Sequence, residues 1–272
     1  MSRSLIILFV ACCLLGFTPK QKIWVAIGDS ITYLNDHADE TGNRISKGYL
    51  TMVTEKLTDL SYINKGFNGW TSGGIAENID SLGLSKADVY TVFLGTNDWW
   101  QGRPIGSLND YKNKSGNSTV FGSYRIIIDK LKKLNKDSRI ILITPMQRGD
   151  FVYISSMTNN AYGSYKKKNG QSLQEFSQAI ISIGKYEKIP VVDLYGKSGI
   201  DQKNMVKFKR LKDPVSGKYK NYKYPDFINI PFNPGTDEYP YPNEAIGMTY
   251  DGLHPSEKGY KVIADMLFKV LK

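Results

Sequence analysis

Five short runs of apolar residues recur along the chain, and each is followed by a stretch with a different pattern. They lie at residues 23–28, 62–65, 89–95, 139–145 and 189–195. The last three are rich in Val and Ile, as strands buried on both faces tend to be. We therefore predict the five strands of a mostly parallel sheet.

Apolar residues at helical spacing fill the stretches between and after these runs. Such stretches cover residues 48–60, 124–134, 173–186 and 256–271. Strands that alternate with helices are typical of a three-layer α/β/α sandwich with right-handed crossovers. The pattern thus predicts an α/β fold, in a single domain over residues 22–272.

Three segments are too long and too polar to be simple connections in such a fold. They cover residues 99–119, 147–170 and 196–250. Long loops in compact domains are commonly binding loops or lids, and loops that follow parallel strands gather at one edge of the sheet. We expect all three insertions to overhang the carboxyl edge of the sheet.

The N-terminus has a different pattern. Arg3 precedes an almost wholly apolar segment, residues 5–17, which is too short to span a bilayer comfortably. This is typical of a secretory signal, so we predict a signal peptide over residues 1–21 and a periplasmic, extracellular or lipid-anchored protein. Cys12 and Cys13, the only cysteines, lie in this segment, which leaves the exported part without disulfides or thiol nucleophiles.

The formal net charge is +10, and many of the cations crowd residues 203–223, where tyrosines alternate with them. A solvated loop is the ordinary interpretation of such a run. Nucleic-acid binders share the pattern, but export argues against that partner, and we expect none. An anionic polysaccharide or a membrane surface would also suit this charge. The eight cations are Lys203, Lys207, Lys209, Arg210, Lys212, Lys218, Lys220 and Lys223.

The first apolar run ends in the sequence Gly28-Asp29-Ser30. Ser30 has two interpretations: it is the N-cap of the next helix, or it is a nucleophile at the carboxyl edge of the sheet. The G-x-S-x-G signature of another hydrolase class is absent, since Thr32 occupies the position of its second glycine.

A base for this serine must come from two histidines, His37 and His254. Asp251 precedes His254 by three residues, a spacing at which a carboxylate can hold the imidazole N–H while the other nitrogen faces a hydroxyl. Alternatively, Asp251 caps a turn and His254 packs on the next helix. His37 lacks the paired spacing of a zinc site, so we expect no metal and no cofactor.

Two residues after predicted strands are candidates for an oxyanion hole. Gly69 would offer a backbone N–H where a side chain would obstruct the substrate, and Asn97 would offer its amide. The alternatives are a glycine turn and an Asn-Asp helix cap.

Together these stretches resemble the four blocks of the SGNH, or GDSL, hydrolases, in the order of that family. The blocks are Gly28-Asp29-Ser30, Gly69, Gly95-Thr96-Asn97-Asp98 and residues 251–254. Gly69 is preferred to the nearby Gly66 because small hydroxyl residues follow it. The resemblance covers residues 23–272.

This resemblance implies a serine esterase or lipase on a flavodoxin-like fold. It implies that Ser30 is the nucleophile, that His254 is the general base and that Asp251 orients it. The backbone N–H groups of Ser30 and Gly69 and the Asn97 side chain would form the oxyanion hole.

Three tryptophans follow the oxyanion blocks directly: Trp70, Trp99 and Trp100. They are typical of the aromatic platforms that bind sugars, although packing is the ordinary role of such residues. Because the insertions are polar rather than apolar, we predict deacetylation of a polysaccharide or oligosaccharide. The alternatives are a lysophospholipase or lipase-type esterase, and a glycan-binding protein without activity.

Overall fold

A computed structural model describes residues 20–272. The predicted signal peptide therefore lies outside the described residues, apart from Lys20 and Gln21. Within the described range, none of the helices combines the length and the apolar character needed to cross a bilayer.

A central sheet of five parallel strands confirms the predicted α/β class. Its order is β2-β1-β3-β4-β7, and every neighbouring pair is parallel. The middle strand, β3, is buried along its whole length, whereas the edge strand β2 is largely half-exposed. The strands are β1 (Lys22–Gly28), β2 (Leu60–Gly66), β3 (Val89–Phe93), β4 (Arg139–Ile143), β5 (Phe151–Tyr153), β6 (Ser156–Ala161), β7 (Val191–Val192), β8 (Lys209–Lys212) and β9 (Tyr219–Tyr222).

Helices cover both faces of the sheet and complete the three layers. One face carries α3, α6 and α7, and the other carries α2 and α9. Each layer buries an apolar stripe against strands with Val and Ile side chains, which is what stabilises this architecture. The helices are α1 (Ser30–Tyr33), α2 (Tyr49–Thr54), α3 (Ser72–Glu77), α4 (Thr96–Trp100), α5 (Leu108–Lys112), α6 (Val120–Leu134), α7 (Leu173–Glu187), α8 (Leu194–Lys197) and α9 (Glu257–Leu271).

The helix predicted over residues 48–60 is wrong in its second half, because α2 ends at Thr54. The N–H of Leu57 still donates to the carbonyl of Val53, and the N–H of Leu60 donates to the carbonyl of Leu57. These bonds form a turn that delivers Leu60 to the start of β2. The apolar residues at helical spacing after Thr54 therefore lie in this connecting turn and not in a continuation of α2.

Two of the insertions contain antiparallel hairpins that the sequence patterns did not predict. Strands β5 and β6 pair within residues 147–170, and β8 and β9 pair within residues 196–250. Both hairpins lie outside the central sheet.

Candidate active site

Ser30 lies in the first turn of α1, at the point where β1 ends. The cap of this helix is Asp29, whose carboxylate accepts a hydrogen bond from the Ile31 N–H at 3.0 Å. A Cβ on Gly28 would lie 2.0 Å from Oγ1 of Thr32, so only glycine lets the helix begin this close to the strand. The interpretation of Ser30 as the cap is therefore wrong, and its hydroxyl is left for another partner.

That partner is His254. Nε2 of His254 lies 2.9 Å from Oγ of Ser30, although the two residues are 224 positions apart. Nδ1 of the same ring lies 2.6 Å from Oδ2 of Asp251. A carboxylate accepts from Nδ1–H, which leaves Nε2 with a lone pair toward the serine hydroxyl.

A tight turn holds Asp251 in position. Its Oδ1 accepts hydrogen bonds from the N–H groups of Leu253 and His254, at 3.0 and 2.7 Å. The carboxylate is completely buried. Because both of its oxygens accept hydrogen bonds, the Asp251 carboxylate cannot rotate or bind water in place of the imidazole. One tautomer of His254 is therefore fixed.

Aromatic rings enclose the imidazole on two sides. The ring of Tyr250 lies 5.9 Å away, nearly parallel, and the ring of Phe151 meets it edge-on at 5.4 Å. His254 is only 6% exposed. Excluding water in this way strengthens the electrostatic interactions of the Asp251, His254 and Ser30 chain.

Gly69 and Asn97 line the same cavity as Ser30 and His254. The Asn97 amide donates one hydrogen bond to the carbonyl of Trp70 at 3.1 Å, which fixes its orientation. Among the described residues, the backbone N–H groups of Ser30 and Gly69 donate no hydrogen bond. Three donors that could stabilise an oxyanion are therefore available at one cavity.

The structure also distinguishes Gly69 from Gly66. The N–H of Gly66 donates to Oδ1 of Asn64 at 2.9 Å, and its Cα packs against the backbone of Tyr33. Gly69 has φ of +75° and nothing within 4 Å of an added Cβ. Its conformation favours glycine, and the space beside it is open to a ligand.

Asp98 holds in place the short helix α4, which carries Asn97. This buried carboxylate accepts hydrogen bonds from the N–H of Ser72 at 2.8 Å and from its hydroxyl at 2.6 Å. Arg103 approaches it at 3.3 Å. Burial raises the pKa of Asp98, and the hydrogen bonds join α4 to the start of α3, which sets the position of the Asn97 amide.

The three tryptophans predicted to be aromatic platforms lie in different environments in the structure. Trp100 lines the cavity. Trp99 is completely buried and donates a hydrogen bond to the carbonyl of Gln171 at 3.1 Å, so the prediction that it contacts substrate is wrong. Trp70 packs on Phe67 at 4.7 Å and is not among the residues that line the cavity, so it is not a platform there either.

The cavity measures about 340 Å³. Each of the three insertions contributes to it: Gln101 comes from the first, Asn159 from the second and Tyr250 from the third. Its lining residues are Ser30, Leu34, Glu40, Asn68, Gly69, Asn97, Trp100, Gln101, Arg148, Phe151, Tyr153, Asn159, Ala161, Tyr250, Leu253 and His254.

The basic segment, residues 203–223, is more ordered than a solvated loop. Lys209 is only 4% exposed, and its Nζ lies 2.9 Å from the Asp150 carboxylate. Arg210 pairs with Glu238 and Lys220 with Asp213. Carboxylates thus neutralise three of the eight cations, and the hairpin of β8 and β9 includes all three.

Sequence reasoning missed Arg148, which lines the cavity beside the predicted residues. A signal was present: a charged residue follows a buried strand, β4, at the carboxyl edge of the sheet. A single arginine has no characteristic spacing to a partner residue, so its position after β4 does not by itself indicate a role.

Burial raises the pKa of the Asp29 carboxyl to about 6, against an ordinary value near 3.8. The folded state therefore favours the protonated carboxyl more than the unfolded chain does. This preference stabilises the fold below about pH 4, and the stabilisation is lost as the pH rises toward about 6.

We expect Asp29→Asn to be more stable than the wild type above about pH 6, by about 2–3 kcal/mol at most. Asn keeps an oxygen for the helix cap but cannot ionise. Urea denaturation of both proteins at about pH 4 and about pH 7.5 measures the difference, which should vanish at the lower pH. An equal difference at both pH values would contradict the prediction.

Comparisons with known proteins give a family match and similar solved structures. Residues 26–262 match the GDSL-like lipase/acylhydrolase family. The crystal structure of a possible lipase from Chitinophaga pinensis is similar to this chain, with 67% identity and a TM-score of 0.91 over 92% of this chain and 97% of that one. A comparison with curated proteins gave no match.

Two more distant structures share the fold alone. An acetyl xylan esterase, AlAXEase, has 18% identity and a TM-score of 0.55 over 92% of this chain and 100% of that one. A lipase/acylhydrolase from Enterococcus faecalis has 17% identity and a TM-score of 0.52 over 92% and 95%.

Proposed function

Because the chain belongs to the GDSL-like lipase/acylhydrolase family, we propose that it is an exported serine esterase that removes acetyl groups from a polysaccharide or oligosaccharide. The hydrogen-bonded chain from Asp251 through His254 to Ser30 carries the chemical part of this proposal. The side-chain amides in the cavity lining support the substrate part. Export rests on the sequence of residues 1–21.

The proposed reaction begins when Oγ of Ser30 attacks the carbonyl carbon of the ester and His254 accepts the hydroxyl proton at Nε2. The tetrahedral intermediate collapses, and the sugar hydroxyl leaves with that proton. Water then attacks the acetyl-Ser30 ester, giving up a proton to Nε2, and acetate departs as the Ser30 hydroxyl is restored.

Charge develops on the carbonyl oxygen at both tetrahedral stages. The backbone N–H groups of Ser30 and Gly69 and the Asn97 amide are the donors proposed to stabilise it. They are held before the substrate arrives, because Asn97 is bound to the Trp70 carbonyl. No reorganisation is then needed at the moment of reaction.

The cavity lining favours a short acyl group on a polar alcohol. The side-chain amides of Asn68, Asn97, Gln101 and Asn159 line it. Amides match the hydroxyl groups of sugars, whereas a long acyl chain would need a continuous apolar channel. Trp100 provides an aromatic face on which a sugar ring could stack.

A lipase-type esterase is the second candidate. It is favoured by one observation, that the 67% identical Chitinophaga structure is described as a possible lipase. A lysophospholipase would use the same nucleophile and oxyanion donors. The two candidates differ in the length of the acyl group that each accepts.

We expect the enzyme to release acetate from at least one member of a panel of acetylated plant and bacterial polysaccharides. A series of 4-nitrophenyl esters, from acetyl to octanoyl, measures the acyl preference in parallel. Acetyl should be turned over fastest because a longer chain would have to desolvate the side-chain amides that lie among the apolar residues of the cavity lining. A steep rise in kcat/KM toward octanoyl would overturn the proposed substrate in favour of the lipase.

A further inference from the structure

Arg148 follows β4 and lines the cavity that contains Ser30 and His254. It is only 1% exposed. Its guanidinium carbon lies 5.6 Å from the ring centre of Trp99, 5.3 Å from that of Trp100 and 5.9 Å from that of Phe151. A buried cation surrounded by three aromatic rings therefore lies in the wall of the cavity that contains the proposed reaction centre.

The guanidinium has no acceptor of its own. Within residues 20–272, its Nε and Nη2 atoms are buried without a hydrogen-bond partner, and it takes part in no ion pair. The neighbouring carboxylates are engaged elsewhere: Asp150 binds Lys209, and Asp251 binds His254. The other arginines of this range donate to oxygen atoms; they are Arg44, Arg103, Arg125, Arg139 and Arg210.

Such an arrangement is costly unless a ligand completes it. Burying an unpaired charge disfavours folding, and aromatic faces offset only part of that cost. The N–H donors of a guanidinium lie in its plane and form a fork that matches a carboxylate. Burial lowers the pKa of Arg148 to about 10, so the group is still charged at neutral pH.

We propose that Arg148 binds a carboxylate of the substrate, so that the enzyme prefers esters carrying a negative charge. This inference rests on the proposed function and specifies its substrate class. Arg148 is the single Lys or Arg among the lining residues of the described chain, which matches one monovalent anion. The acidic lining residue, Glu40, already accepts a hydrogen bond from Tyr33 at 2.8 Å.

The carboxylate must lie close to the ester. Phe151 contacts both groups, since its ring is 5.4 Å from that of His254 and 5.9 Å from the guanidinium carbon. Arg148 and the base therefore pack against the same aromatic ring. The carboxylate then belongs either to the sugar residue that carries the ester, as in a uronic acid, or to the acyl group, as in a hemisuccinate.

Two matched substrate pairs test the proposal and identify the source. The first pair is an acetylated methyl glucuronoside and the corresponding acetylated methyl glucoside. The second pair is 4-nitrophenyl hemisuccinate and 4-nitrophenyl butyrate. We expect kcat/KM for the acidic member of one pair to exceed that of its neutral partner by about 10- to 100-fold, the range typical of a charged hydrogen bond.

Arg148→Met should remove this preference, so that kcat/KM for the acidic ester of that pair falls to the value of its neutral partner in the same variant. Arg148→Lys should retain part of it, because the charge remains but the fork is lost. Arg210→Met is the matched control, since that arginine is half-buried, pairs with Glu238 and does not line the cavity. Its preference should equal that of the wild type.

An active wild type with equal kcat/KM in both pairs would overturn the inference and leave the proposed function intact. Absence of all ester turnover would overturn the proposed function, and the inference is then tested by binding. Calorimetric titration of methyl glucuronoside and of hemisuccinate into the Ser30→Ala protein should detect binding of one of them, and Arg148→Met should abolish it. Tighter binding of inorganic phosphate than of either carboxylate would overturn the inference.

Stability provides the remaining readout. Replacing an unpaired buried charge by an apolar side chain should not lower the melting temperature. If Arg148→Met melted lower and the wild type showed no preference for acidic esters, the guanidinium would have a structural role and the proposal would fail.

Discussion

Replacing Ser30 with Ala should abolish ester hydrolysis, with a loss of kcat on the order of 10⁶-fold if the precedent of other serine hydrolases applies. The substitution removes Oγ, the atom proposed to attack the ester, which lies 2.9 Å from Nε2 of His254. The fold should be nearly unaffected, since Asp29 is the cap of α1 and Ala is a good helix former. Turnover of 4-nitrophenyl acetate and the melting temperature measure the two effects.

Ser81→Ala is the matched control for this experiment. Its hydroxyl is exposed and donates only to the nearby carbonyl of Asn78, so full activity is expected. If the Ser30→Ala protein kept more than about one hundredth of the wild-type rate, Ser30 would not be the nucleophile.

Burial on both faces explains why the sheet could be predicted from the sequence. The run that forms β3, Val89–Phe93, is apolar or Thr at every position because helices cover the sheet on both sides. The sequence pattern was less clear for strands at the edge of the sheet. The predicted last strand, residues 189–195, is reduced to Val191–Val192, since Asp193 caps α8 directly afterwards.

The hairpins could not be predicted because one strand of each, β6 or β9, has no continuous buried face. Strand β6 exposes or half-exposes every residue but Ala161, so its sequence contains no alternation of apolar and polar residues. The buried residues of this hairpin pack against residues distant in the chain, Phe151 near Leu253 and Val152 near Val206. The local sequence therefore gives little indication of the hairpin that lines part of the cavity.

Two adjacent tryptophans show that the orientation of a short helix is also hard to predict from the sequence. Trp99 and Trp100 lie on α4, which has five residues, and they point to different environments. Trp99 joins the core and Trp100 lines the cavity. A helix this short has no hydrophobic period from which its orientation could be read, so the buried ring could not be distinguished beforehand from the exposed one.

The positions of the polar site residues were easier to predict, because their order relative to the strands indicates where in the fold they lie. Ser30, Gly69 and Asn97 each follow a different strand, and His254 precedes α9, so the topology alone brings them to one edge. The structure places them around one cavity. Their catalytic roles stay predictions until variants are measured, and Arg148 lacked any such pattern.

We expect Asp251→Asn to lower kcat by about 10⁴-fold without unfolding the protein. The amide oxygen can still accept the N–H groups of Leu253 and His254, so the turn should persist. The amide nitrogen, however, would donate to Nδ1 of His254, move the proton to Nε2 and leave no lone pair for the Ser30 hydroxyl. Asp193→Asn is the matched control, because Asp193 also caps a turn but does not line the cavity. Steady-state kinetics with 4-nitrophenyl acetate should separate the two variants, and a loss of less than tenfold for Asp251→Asn would mean that His254 does not need this carboxylate to act as a base.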